Sequence, residues 1–150
     1  MLINKTIVNV PIGKIFKCKC CGECCNQRIP VIGKEVGNSI FNLKPQPAKE
    51  NIYSKYYFGE NGVNCEFMKE NKCTIHKQRP AACRLYPFGI KMKRMEGKCL
   101  EIIARDLSCP GWDEASGNEH MSKEECLVYV KAANLIFNDI SKRIGKKVGL

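Results

Sequence analysis

The chain has 150 residues, a formal charge of +10 and eleven cysteines. That length suits one domain, and the 44% hydrophobic share falls to about 37% without the cysteines, so the fold is expected to lean on cross-links or metal. The opening M-L-I-N-K-T-I-V-N-V lacks the features of a signal peptide, and no run approaches the roughly 18 apolar residues of a membrane span. The expected setting is therefore cytoplasmic, without a membrane partner, where thiols stay reduced; the odd cysteine count also fits a disulfide framework poorly.

Taken in order, residues 2–10 read as one short strand, β-branched and partly alternating. Phe16 to Cys25, F-K-C-K-C-C-G-E-C-C, places five cysteines in eight positions, with Gly22 allowing the backbone to curl. Thiols at that density serve a metal or a cluster, and their need for N–H donors predicts an irregular knuckle or helical turn. Residues 29–32 (I-P-V-I) are extended, with Pro30 requiring a sheet edge. Residues 48–58 predict a short helix with Ile52, Tyr56 and Tyr57 inward, and the aromatic patch Tyr53, Tyr56, Tyr57, Phe58 reads as packing around the metal region.

Residues 63–75 predict a hairpin turning at Lys69-Glu70-Asn71, which gives Cys65 and Cys73 the same side-chain parity on opposite strands. H-K-Q-R-P-A-A-C-R-L-Y-P is a helical turn, with Pro80 in its first turn and Pro87 ending it, that delivers Cys83. Residues 88–93 and 98–104 form a second hairpin, and Leu107 to Trp112 a tight loop carrying Cys109. The last element is a helix over 122–145: Ser122 and Glu125 form a capping box, an apolar stripe runs from Cys126 through Val130, Ala133 and Phe137 to Ile144, and Gly145 stops it. The fold class is α+β, irregular: one metal-nucleated domain over 1–150, with short hairpins, a cysteine-cluster core at 14–112 and the C-terminal amphipathic helix.

The candidate ligands are Cys18, Cys21, Cys24, Cys25, Cys65, Cys73, Cys83 and Cys109. Eight thiolates fill two four-iron (4Fe-4S) clusters or two zinc sites, and a single cluster with spare thiols is the other arithmetic. With two such centres the net charge sits nearer about +6. Because Cys24 and Cys25 are neighbours, their side chains splay toward different centres. Cys20, Cys99 and Cys126 read as non-ligands, Cys126 because it lies on the apolar stripe. His76 reads as packed or exposed, and neither it nor His120 has an evident partner. Arg79 and Arg84 flank Cys83 and are assigned to the bound group, balancing thiolate charge.

F-x-C-x-x-C-G-x-C-C at Phe16–Cys25 resembles the opening motif of the YkgJ-type cysteine-cluster family, a zinc- or iron-chelating domain. Cys65-x-Phe67, Cys73-x-Ile75, Arg79-Pro80-x-x-Cys83-Arg84-x-Tyr86-Pro87 and Cys109-Pro110-Gly111 are similar to that family's later blocks, in order, so the resemblance covers about residues 14–112. Cys20 is extra, and His76 stands where the family usually has Tyr. The resemblance implies metal binding and reaches proteins linked to iron–sulfur binding and flagellin lysine methylation.

C-x-x-C-x-x-C opens like a bacterial ferredoxin, but position 28 is Arg28 and not the next cysteine. Structural zinc sites pair two C-x-x-C knuckles; here only the first block has that spacing, which favours an iron–sulfur cluster in electron transfer, cluster handling or a larger redox assembly with a protein partner. The alternatives are a zinc-stabilised interaction or nucleic-acid module and the metal domain of a protein lysine methylation system. Lys91, Lys93, Arg94, Lys142, Arg143, Lys146 and Lys147 are scattered and read as solvated faces, which argues against nucleic acid. No glycine-rich nucleotide loop, radical-enzyme C-x₃-C-x₂-C, hydrolytic triad or carboxylate pair is present, so no autonomous enzymatic activity is expected.

Overall fold

The N-terminal segment folds back on itself instead of running as one strand. The computed structural model describes residues 1–19, 25–47, 54–70, 72–93, 99–116 and 119–147, and in it β1 (Leu2–Ile3) and β2 (Thr6–Asn9) pair antiparallel. Asn4 and Lys5 between them both have positive φ, 48° and 64°. A two-residue turn of that hand matches the twist of paired strands, and Asn tolerates it better than most residues, so the uninterrupted strand expected over 2–10 becomes a hairpin.

The chain continues through β3 (Lys14–Phe16), β4 (Ile29–Val31), a 3₁₀ turn at Gly33–Glu35, β5 (Lys44–Pro45) and β6 (Tyr56–Phe58). It then forms β7 (Met68–Lys69), β8 (Lys72–Cys73), a second 3₁₀ turn at His76–Gln78, α1 (Ala81–Leu85), β9 (Phe88–Lys93), β10 (Cys99–Ala104), β11 (Trp112–Glu114) and α2 (Lys123–Lys147). This is the irregular α+β class: short strand sets and one long helix. No helix among the described residues is long and apolar enough to cross a membrane.

The larger core lies under a four-stranded sheet of order β1-β2-β10-β9. β9 and β10 are the expected antiparallel hairpin, whereas β2 joins β10 in parallel, Thr6 opposite Leu100 and Asn9 opposite Ile103. Ile3, Val8, Phe88, Leu100 and Ile102 turn their side chains toward α2, which answers with Cys126, Val130, Ala132 and Ala133. The helix starts as its capping box requires: the Ser122 hydroxyl accepts the Glu125 N–H at 3.1 Å, and the Glu125 carboxylate accepts the Ser122 N–H at 2.7 Å. Gly145 does not stop it, because α2 runs to Lys147. An interior glycine costs only about 1 kcal/mol relative to alanine, and the following lysines favour a helix C-terminus.

A smaller cluster forms around the three-stranded sheet β4-β6-β5. Ile29, Val31, Phe41 and Phe58 are buried there; Phe41 stacks on Phe58 at 4.9 Å, and Phe67 meets both rings edge-on. Pro30 sits on an edge strand, as its missing N–H demands. The helix expected over 48–58 is corrected here. Residues 48–53 lie outside the described set, but Tyr56–Phe58 are the middle strand, with Tyr57 and Phe58 buried and Tyr56 exposed. Consecutive aromatics suit a pleated surface, and hydrogen bonding on both edges outweighs local helix preference.

Candidate metal centre

The described candidate thiols are set by backbone contacts that can be traced. β3 pairs with β11, Phe16 opposite Trp112, and the next N–H, from Lys17, donates to Gly111 O at 2.9 Å. A Cβ on Gly111 would strike the Phe16 ring and come within 2.9 Å of Lys17 O, so the Cys109-Pro110-Gly111 loop lies flat against the segment leading to Cys18 only because residue 111 is glycine. Lys19 and Asp113 add a surface ion pair at 2.7 Å, of little energetic weight.

Cys25 and Cys65 are held by their own main chains: Cys65 N–H donates to Cys25 O at 2.6 Å, and Gly62 N–H to Asn26 O at 2.7 Å. Gly59, at φ +80°, allows this approach, since a Cβ there would lie 2.8 Å from Gln27 O. Cys65 O in turn accepts the Met68 N–H at 3.0 Å, and Met68 pairs with Cys73 across the β7–β8 hairpin. That hairpin is shorter than expected. Cys65 precedes β7, so the bend at residues 65–68, and not strand parity, aligns it with Cys73.

Cys83 rides on α1, whose start is fixed from a distant segment. The Glu35 carboxylate accepts the Ile32 N–H at 2.9 Å and the Ala81 N–H at 2.8 Å, tying β4 to the helix N-terminus. Pro80 stands one residue before the helix and not inside its first turn.

These elements wall one cleft with a cavity volume of about 90 Å³. Cys18, Cys25, Cys65, Cys73, Cys83 and Cys109 all line it, six of the eight proposed ligands. Cys21 and Cys24, with Cys20, lie outside the described residues, as does the Cys99 side chain. Apolar groups from both clusters, including Phe16, Phe58, Phe67 and Ile75, form the rest of the wall. The cleft therefore opens at the seam between them. Among the described residues no three His, Cys, Asp or Glu side chains stand close enough together to enclose one ion. The donor chemistry fits a thiophilic metal group.

Arg79 lines the cleft and donates Nε to His76 O at 2.9 Å. Arg84 is not on the cleft wall; successive helical residues point about 100° apart, so turning Cys83 inward turns Arg84 away. Cys126 is fully buried in the larger core, where burial, with Glu125 beside it, pushes the thiol's pKa up and keeps it protonated. Tyr129, packed against Phe16 and Phe88, is pushed up to about 12, mainly by burial. Tyr86, also on the wall, donates its hydroxyl to Asp106, whose carboxylate accepts Ser108 as well and is held below the usual range, first by Ser108 and then by Tyr86.

Sequence reasoning passed over two contributors. Glu35 gave no local signal, because its partner Ala81 is 46 residues away. His76 lines the cleft, and its Nε2 is buried without a hydrogen-bond partner. Burial, and secondarily the Arg79 charge, lowers its pKa. The available signal was position: His76 stands three residues after Cys73 and directly before the segment that presents Arg79 and Cys83.

Comparison with known proteins gives a family. The profile of the CxxCxxCC family, described as "Putative zinc- or iron-chelating domain", matches residues 17–132. A protein of Methanocaldococcus jannaschii, itself described as uncharacterised, is 31% identical over 91 residues, 54% of this chain and 49% of its own length. The chain thus spans about half the length of that curated relative. No solved structure matches the chain.

Proposed function

The chain belongs to the CxxCxxCC family of zinc- or iron-chelating domains, and from that premise we propose that its metal group is an iron–sulfur cluster held by thiolates drawn from Cys18, Cys21, Cys24, Cys25, Cys65, Cys73, Cys83 and Cys109. Metal chelation is the family property; the cluster and its use are the proposal. One observation carries it: six thiols from separate elements line a single, mostly apolar cleft. A lone zinc ion bound at about 2.3 Å draws its sulfurs to within about 4 Å of each other, whereas the thiolates around a cluster stand farther apart. The origin of the six cleft thiols in separate elements supports the wider arrangement.

A bound cluster supplies one-electron chemistry. The chain's part is to supply thiolates, to exclude water with Phe16, Phe58 and Phe67, and to place the Arg79 cation beside the anionic centre. The role that follows is electron transfer or cluster handling within a larger redox assembly, with a protein partner and no autonomous catalysis. The basic charge gives little support to nucleic-acid binding: Arg143 is paired with Asp139 within α2, and the remaining cations are dispersed.

The test is metal and sulfide analysis of the anaerobically purified chain, with visible absorption and electron paramagnetic resonance. A brown protein holding iron and acid-labile sulfide in equal amounts supports the reading. A colourless protein with stoichiometric zinc overturns it.

A further inference from the structure

The buried Nε2 of His76 needs an explanation. A ring nitrogen shielded from water and left without a hydrogen bond costs free energy, and native proteins tolerate few such groups unless another species completes them. His76 is on the cleft wall with the six cysteines, at the 3₁₀ turn that follows the β7–β8 hairpin. Its backbone carbonyl accepts the Arg79 Nε–H, which anchors the turn.

We propose that His76 supplies a nitrogen ligand through Nε2, so that the centre in this cleft has a mixed thiolate–imidazole donor set. The inference rests on metal binding in the cleft and not on which metal is native. Imidazole in place of a thiolate removes one negative charge from the site. In a cluster that raises the reduction potential; in a zinc site it gives a less anionic centre. It also removes the need to use every available cysteine, leaving at least one cleft thiol outside the coordination set.

The test uses the full chain, stripped of metal under reducing conditions, labelled with ¹⁵N-histidine and titrated with Co²⁺ as the probe. Thiolate-to-cobalt charge-transfer bands report the thiol site, and paramagnetically shifted ring resonances report a histidine on the metal. Only two histidines exist, and the Nδ1 of His120 lies 2.9 Å from Met121 O, so His120→Phe serves as the control. The expected result is one shifted ring that survives His120→Phe and disappears in His76→Phe, with affinity for Co²⁺ falling by about 100-fold. His76→Cys should restore the affinity while moving the ligand-field bands to the all-sulfur pattern, a rescue that a packing role does not produce. Charge-transfer bands with neither ring shifted, or with the shifted ring intact in His76→Phe, overturn the nitrogen ligand and leave the thiol centre standing. Absence of the charge-transfer bands overturns the mixed thiolate–imidazole donor set.

Discussion

The two halves that meet at the cleft are held by different means. Beneath the β1-β2-β10-β9 sheet, twelve described residues are buried in one cluster with α2 across them. Around β4-β6-β5 only four are. The smaller half thus has less clustered apolar burial to set against the cost of ordering its chain. The smaller half also holds four of the six described cleft thiols: Cys65 and Cys83 pack against its cluster, and Cys25 and Cys73 are tied to Cys65 through the backbone. The contrast teaches where metal matters for folding. The expectation is that the sheet and helix stand on apolar burial, whereas the thiol-bearing half depends on a bound metal group.

Metal removal gives the sharpest break in that contrast. Chelation under reducing conditions should abolish hydrogen-exchange protection in β4 and β6 while β10 and α2 keep theirs, and Cys65→Ser should do the same. Equal loss in both halves would erase the distinction. Next come paired core truncations. Phe58→Ala and Ile102→Ala remove side chains 1% and 0% exposed, each costing about 2–5 kcal/mol. Phe58→Ala should weaken metal binding through linkage, whereas Ile102→Ala should lower Tm and leave metal affinity unchanged; metal titration alongside thermal melts separates them.

Glu35 bridges the halves. Hydrogen bonds to a charged acceptor are worth about 1.5–3 kcal/mol, so Glu35→Ala should lower stability by about that amount and loosen the metal site with it. Melts and metal affinity that move independently would show that Glu35 is not a bridge. The smallest effect is Ser122→Ala: loss of the cap should cost about 1 kcal/mol, visible as a lower Tm with metal binding intact.

The parts legible in sequence were those whose cause is local. The capping box named the start of α2, the spacing between residues 88 and 104 named the hairpin, and the cysteine blocks named the chemistry because thiol density has few other uses. What escaped depended on partners far along the chain. Tyr56–Phe58 became a strand because β4 and β5 flank it, and the parallel pairing of β2 with β10 joins residues more than 90 apart. The place of His76 on the cleft wall was not legible either, because a lone histidine has no periodicity to read. Gly145 failed as a stop because glycine permits a terminus without imposing one.

That parallel pairing has a consequence for the order of events during synthesis. β2 finds its parallel neighbour β10 only after residue 103 has been made, and the helix that covers both comes later still. All eight proposed thiols therefore leave the ribosome before the framework that will flank them exists. When it closes, Phe16 and Trp112 are fixed side by side and the intervening chain becomes a loop with anchored ends. The entropy of bringing those ends together has then already been spent in the apolar core, so an arriving metal group has only to order the loop between them.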